Sequence, residues 1–204
     1  MAKKTSASRR KQGPNQHLTT LLDSAYRNHK QGNLSQAELL YHQVLQEEPG
    51  NPFSLYGLGT IDMAKGEMSR AIPLLSEAVN NGYLAETAYT HLGIALQACG
   101  RADEALAVYR NGMTKDPRNP RYPSNASVVL AQKGDFEAAL READRAIHLD
   151  PSFPGGYINA GAFLTSLGRI SEAAIMLEKA LGLDPANEEV RHSLEGLRQR
   201  SSPV

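Results

Sequence analysis

Apolar positions along this chain recur at helical spacing. Toward the C-terminus Ala173, Leu177, Ala180 and Leu181 fall at i, i+4, i+7 and i+8, which places them on one face of a helix. Segments of this kind return with a fixed interval. Ala37, Ala71, Ala105, Ala139 and Ala173 stand 34 residues apart, and Gly32, Gly66, Gly100, Gly134 and Gly168 keep the same interval five positions earlier. Pro49, Pro117, Pro151 and Pro185 hold the register, with Tyr83 in the one vacant slot. Each glycine lies between two apolar-periodic segments, where a helix must stop and the chain must turn. The "LDP" stretches at 149–151 and 183–185 end the following helix, because the residue before proline is pushed out of the helical region. Each unit therefore predicts helix A, a glycine turn, helix B and a break.

A 34-residue helix–turn–helix unit with Gly, Ala and Pro at these phases resembles the tetratricopeptide repeat. The resemblance covers 170 of 204 residues as five units, 18–51, 52–85, 86–119, 120–153 and 154–187, without an insertion. It implies an all-α fold, a right-handed superhelical solenoid of five repeats with a concave groove lined by the A helices. Two departures stand out. Tyr83 replaces the terminal proline, so "VNNGYLAE" (79–86) should close its helix with Asn81 or Gly82 in a left-handed cap. The first unit carries Ser24 and Asn28 where large apolar residues are usual. Residues 188–200 place Val190, Leu194 and Leu197 on one stripe, as a capping helix would. Pro120 and Pro123 should delay the fourth A helix to about Tyr122 or Pro123.

Composition adds an asymmetry. The formal net charge is zero, yet Lys3, Lys4, Arg9, Arg10 and Lys11 crowd residues 1–17 and leave 17 basic against 22 acidic residues elsewhere. Residues 1–17 read as a basic, disordered tail, as do 201–204 as a disordered end, being too poor in apolar residues to fold alone. The tail offers weak, nonspecific contact with anionic surfaces; specific nucleic-acid binding is not expected, since nothing aromatic accompanies the charges. No stretch approaches the roughly 18 apolar residues of a membrane span, and no apolar leader segment follows the basic start. With the single Cys99, this suggests a reducing, cytoplasmic setting.

"PGGYINAGAF" (154–163) spaces Gly156 and Gly161 like a phosphate loop, but no Lys or Ser/Thr follows and the context is helical. Gly161 belongs instead to the series Ala25, Gly59, Gly93, Ser127, Gly161, all small, which lets helices A and B approach closely. Two residues before each small position stand Asp23, Gly57, His91, Asn125 and Asn159. The family resemblance puts this position, and its neighbours Tyr26, Phe53, Tyr56, Thr60, Ile94, Val128 and Ile158, on the concave groove. An amide both donates and accepts, so Asn125 and Asn159 fit two roles: pairing with the backbone of an extended peptide, or bracing a neighbouring repeat. Phe53, Tyr56 and Ile94 suit apolar anchoring. The row His91, Asn125, Asn159 is similar to a short asparagine ladder in the repeat region of O-linked N-acetylglucosamine transferase, though Gly57 and Asp23 do not extend it. Chaperone-tail-binding members of the family use a Lys, Asn and Arg clamp on consecutive A helices; here its first Lys and Asn would fall on pairs such as Leu22/Tyr26 or Tyr56/Thr60, its later Lys/Arg pair is equally missing, and Arg121 with Asn125 has only one basic member.

Catalytic and metal chemistry find little footing. The six histidines make no i, i+3 or i+4 pairs, Cys99 has no sequence partner, and Glu47-Glu48 and Glu188-Glu189 read as solvated helix ends. Tyr41, Tyr109 and Phe136 read as inter-helix core. The expectation is a non-catalytic scaffold without cofactor or metal that holds a peptide segment of a partner protein in its groove. The alternatives are an accessory, substrate-guiding subunit of an enzyme complex and a self-assembling scaffold.

Overall fold

The structure, a computed structural model, describes residues 14–83 and 85–201; most of the basic tail and the last three residues lie outside them. The described residues are all-helical, without strands, and form two compact units, the first ending at Tyr83. The first unit holds α1 (Pro14–Lys30), α2 (Leu34–Glu47), α3 (Pro52–Ala64) and α4 (Met68–Asn80). The second holds α5 (Glu86–Ala98), α6 (Ala102–Lys115), α7 (Arg121–Gln132), α8 (Phe136–Leu149), α9 (Pro154–Ser166), α10 (Ile170–Leu183) and α11 (Glu188–Ser201). Within each unit consecutive helices pack on one another, and the odd-numbered helices also touch side by side, α1 on α3, α5 on α7 and α7 on α9.

Glycine ends the helices by a shared device. Gly32, Gly66, Gly100, Gly134 and Gly168 all adopt positive φ, and the amide after each donates back five residues, as Glu67 does to Asp62 at 2.8 Å. This 6→1 bond satisfies carbonyls that the helix end leaves over, and only glycine takes the left-handed turn without a steric penalty. The B helices end differently. Glu48, Asp116, Asp150 and Asp184 leave the helical region with φ between −133° and −146° ahead of the break. α4 is the exception. It closes on Gly82 at φ 94°, with Tyr83 donating to the Ala78 carbonyl at 2.9 Å, so a glycine cap stands in for the missing proline.

Two helix starts differ from the sequence reading. α1 begins at Pro14, so residues 14–17 are helical rather than part of the tail. Proline suits a first helical position, where its absent N–H costs nothing. α7 begins at Arg121 and not a turn later. Pro123 falls in the first turn, whose amides have no intrahelical acceptor in any helix, so it removes no bond.

The core is built on a size match. Ala37, Ala71, Ala105, Ala139 and Ala173 are each fully buried. Across from them, a methyl on Gly59 would stand 2.7 Å from Leu75 Cγ, and one on Gly161 would stand 2.6 Å from Leu177 Cδ2. Gly93 takes the Tyr109 ring in the same way. The fourth hairpin inverts the sizes: Ser127 occupies the glycine position and Ala143 the large one, and both are fully buried. The small series is thus packing, and no phosphate loop forms at Gly156–Gly161. In α11, Val190, Leu194 and Leu197 join the buried cluster of α9 and α10.

Candidate functional site

In the first unit the expected groove residues gather around rings. Tyr26 and Phe53 are 59% and 60% exposed, high for residues of this size. Tyr83 stacks on Tyr56 with centroids 4.4 Å apart and meets Phe53 edge-on at 5.1 Å, so the residue that fills the proline slot completes an aromatic cluster. Tyr41 lies beneath. Its ring occupies the space a side chain at Gly57 would need, and burial with neighbouring phenols pushes its pKa up to about 12. Its hydroxyl sits 3.5 Å from His29 Nδ1, and desolvation holds that imidazole below its ordinary value. Thr60 turns inward: its hydroxyl donates to the carbonyls of Tyr56 and Gly57 at 3.1 and 2.9 Å.

In the second unit α5 and α7 enclose a cleft of about 360 Å³ that brings together Ile94, Asn125 and Val128. Ile94, Val128 and Ala98 give an apolar floor, and Gln97 and Gln132 add two amides beside Asn125. These amides are linked to one another and to the core. Gln97 Nε2 donates to Gln132 Oε1 at 3.3 Å, and the buried Tyr109 hydroxyl donates to Gln97 Oε1 at 3.0 Å. Asn125 Nδ2 approaches Thr90 Oγ1 at 3.5 Å, the outer limit of a hydrogen bond. Neither Gln97 nor Gln132 was picked out by the sequence reading. Their helical offsets were the available signal: Ile94, Gln97 and Ala98 stand at i, i+3 and i+4, and Asn125, Val128 and Gln132 at i, i+3 and i+7.

The residues of the row His91, Asn125, Asn159 differ in their surroundings. Asn159 Nδ2 donates to the Ser124 carbonyl at 3.1 Å, to Ser124 Oγ at 3.0 Å and to Ser127 Oγ at 3.2 Å. Its donor is committed to the preceding repeat, where both serines are buried. Its neighbour Ile158 lines a separate cleft against α11. His91 is half-buried, and desolvation lowers its pKa, partly offset by Glu86. Among the described residues no group of His, Cys, Asp and Glu could hold a metal, and no helix is long and apolar enough to cross a membrane.

Known proteins resemble this chain in sequence and in fold. Residues 125–188 match the family model for the tetratricopeptide repeat, and residues 53–115 match that of a bacterial transcriptional activator domain. The wheat (Triticum aestivum) Hsp70-Hsp90 organizing protein is 32% identical over 110 residues, 54% of this chain but 19% of the relative, so the chain spans about a fifth of that protein's length. Among solved structures, the MamA protein superposes with a TM-score of 0.72 at 20% identity, covering 93% of this chain and 98% of MamA, a likeness of fold alone. The first repeat domain of Spaghetti (RPAP3), solved with the HSP90 peptide SRMEEVD, is 29% identical at a TM-score of 0.53 over 55% of this chain and 91% of that one.

Proposed function

We propose, since this chain is a tetratricopeptide-repeat protein, that it is a non-catalytic adaptor which holds an extended segment of a partner protein against its A helices. The observation that carries this reading is the α5–α7 cleft, where three amides rim an apolar floor. A peptide backbone offers alternating donors and acceptors that Asn125 and Gln132 can pair with regardless of sequence, while Ile94, 41% exposed, receives an apolar side chain. The peptide seen with Spaghetti supports a segment as ligand for repeats of this kind. Its acidic character does not carry over, because neither Leu22/Tyr26 nor Tyr56/Thr60 supplies the Lys and Asn of an acidic-tail clamp, and Arg121 with Asn125 has only one basic member. Asn159 is assigned to bracing and Asn125 to gripping.

The test is binding of fluorescein-labelled decapeptides, selected from a display library on the native chain, measured by anisotropy. Asn125→Ala with Gln132→Ala should weaken binding about thirtyfold, two hydrogen bonds of about 1 kcal/mol each. Ile94→Asp should abolish it. Unchanged affinity in variants with native circular dichroism would overturn the reading.

A further inference from the structure

The cleft between α9 and α11 differs from the α5–α7 cleft in both size and chemistry. It measures about 490 Å³, within the range of clefts that take small ligands. Its size follows from the sequence. Counted in the 34-residue register, Ser193 of α11 stands where α9 carries Asn159, and Gly196 stands where α7 carries Val128. Asn159 fills its junction by reaching across to Ser124 and Ser127, whereas Ser193 bonds within its own helix, to the Glu189 carbonyl. A methyl on Gly196 would meet open space.

The walls are apolar, from Ile158, Ala162, Leu177 and Leu197. The small polar groups in the lining are already engaged. Thr165 donates to the Gly161 carbonyl at 2.8 Å, Ser193 donates to the Glu189 carbonyl at 2.9 Å, and Asn187 accepts from the Val190 amide at 3.1 Å. That leaves His192 and the Glu189 carboxylate. The lining contains no Lys or Arg, and Glu189 has no ion-pair partner among the described residues, although Glu188 beside it in the chain is paired with Arg191. An apolar cleft with one unpaired carboxylate is complementary to an apolar group that carries a cation.

We infer that the α9–α11 cleft is a second binding site, which takes a basic–apolar segment of a partner protein with an aliphatic side chain on the floor and a Lys or Arg against Glu189. This site is separate from the α5–α7 cleft and selects by charge, which the amide cleft does not.

The test compares two labelled hexapeptides by anisotropy at low salt, one alternating leucine with arginine and one alternating leucine with glutamate. The native chain should bind the basic peptide at least tenfold tighter. Gly196→Leu fills the cleft from α11 and replaces a helical glycine, so it should abolish the preference for the basic peptide without lowering the melting temperature; Ala162→Met fills the same space from α9 should the first variant fail to fold. Glu189→Gln should remove the preference for the basic peptide, a change of roughly tenfold. Asn125→Ala should leave it intact, which separates this site from the proposed adaptor cleft. Equal binding of the two hexapeptides by the native chain, or an unchanged preference for the basic peptide in both filled variants, would overturn the inference. So would a concentration-dependent dimer that Gly196→Leu dissociates, since a second copy would then be the occupant.

Discussion

Replacing Gly161 by Ala should destabilise the native chain yet stabilise a chain that already carries Leu177→Ala. The added methyl would sit 2.6 Å from Leu177 Cδ2 and 2.9 Å from its Cγ, well inside the 3.4 Å at which such contacts become ordinary. Overpacking of this kind costs about 1–3 kcal/mol. The helix gains about 0.5–1 kcal/mol when glycine becomes alanine. The net effect in the native background is therefore a loss of up to about 2.5 kcal/mol. Leu177→Ala alone should cost about 2–5 kcal/mol, because Leu177 is only 5% exposed. In that background the methyl has room, only the helix gain remains, and the sign reverses. The coupling between the two sites should thus be about 1–3 kcal/mol. A urea titration followed by circular dichroism, with hydrogen exchange at the α9 amides, measures it. Additivity within about 0.5 kcal/mol would refute the claim that Leu177 requires a bare position opposite. The fourth hairpin already carries the compensated pair, Ser127 with Ala143.

Asn159→Ala should lower stability by about 1–3 kcal/mol in the same titration, since Ser124 and Ser127 would keep buried hydroxyls with a partner removed. Gly100→Ala, at φ 74°, should cost about 1–2 kcal/mol, and Gly182→Ala, with open space around it, should stabilise. At alkaline pH the folded pKa of Tyr41, about 12, lies above its ordinary 10.0, so the folded state holds its proton longer. That stability is fully present below pH 10 and is lost as pH rises toward 12; Tyr41→Phe should flatten this decline in melting temperature against pH. At acid pH, His29 and His91 are both held below 6.5 by desolvation, so stability should fall as pH drops below 6.5, less steeply in His29→Gln.

Helix positions and glycine turns were legible because each rests on a local rule: apolar period, proline before a break, positive φ at glycine. Partner choice was not. Register showed that Asn125 and Asn159 occupy equivalent positions, yet one borders a cleft and the other is bound to two serines, because Ser124 and Ser127 occur only in the fourth unit. Tyr83 was legible as a gap in the proline series, but its stacking on Tyr56 depends on the direction the chain takes after Gly82. The size match at Gly161 and Leu177 was present in the periodic table of positions, and only the distance between the helices made it visible.

The cross-repeat hydrogen bonds described above, Gln97 to Gln132 and Asn159 to Ser124, span 35 residues, and each glycine turn closes within six. Contacts this local make loop closure cheap, so folding should be fast for the chain length. During synthesis a hairpin such as α1–α2 has its own packing partners before the next helix has left the ribosome. A 34-residue unit inserted in register, or deleted, would find the same neighbours waiting on either side. Gene-level gain and loss of repeats is therefore a change this architecture can absorb without redesign of its core.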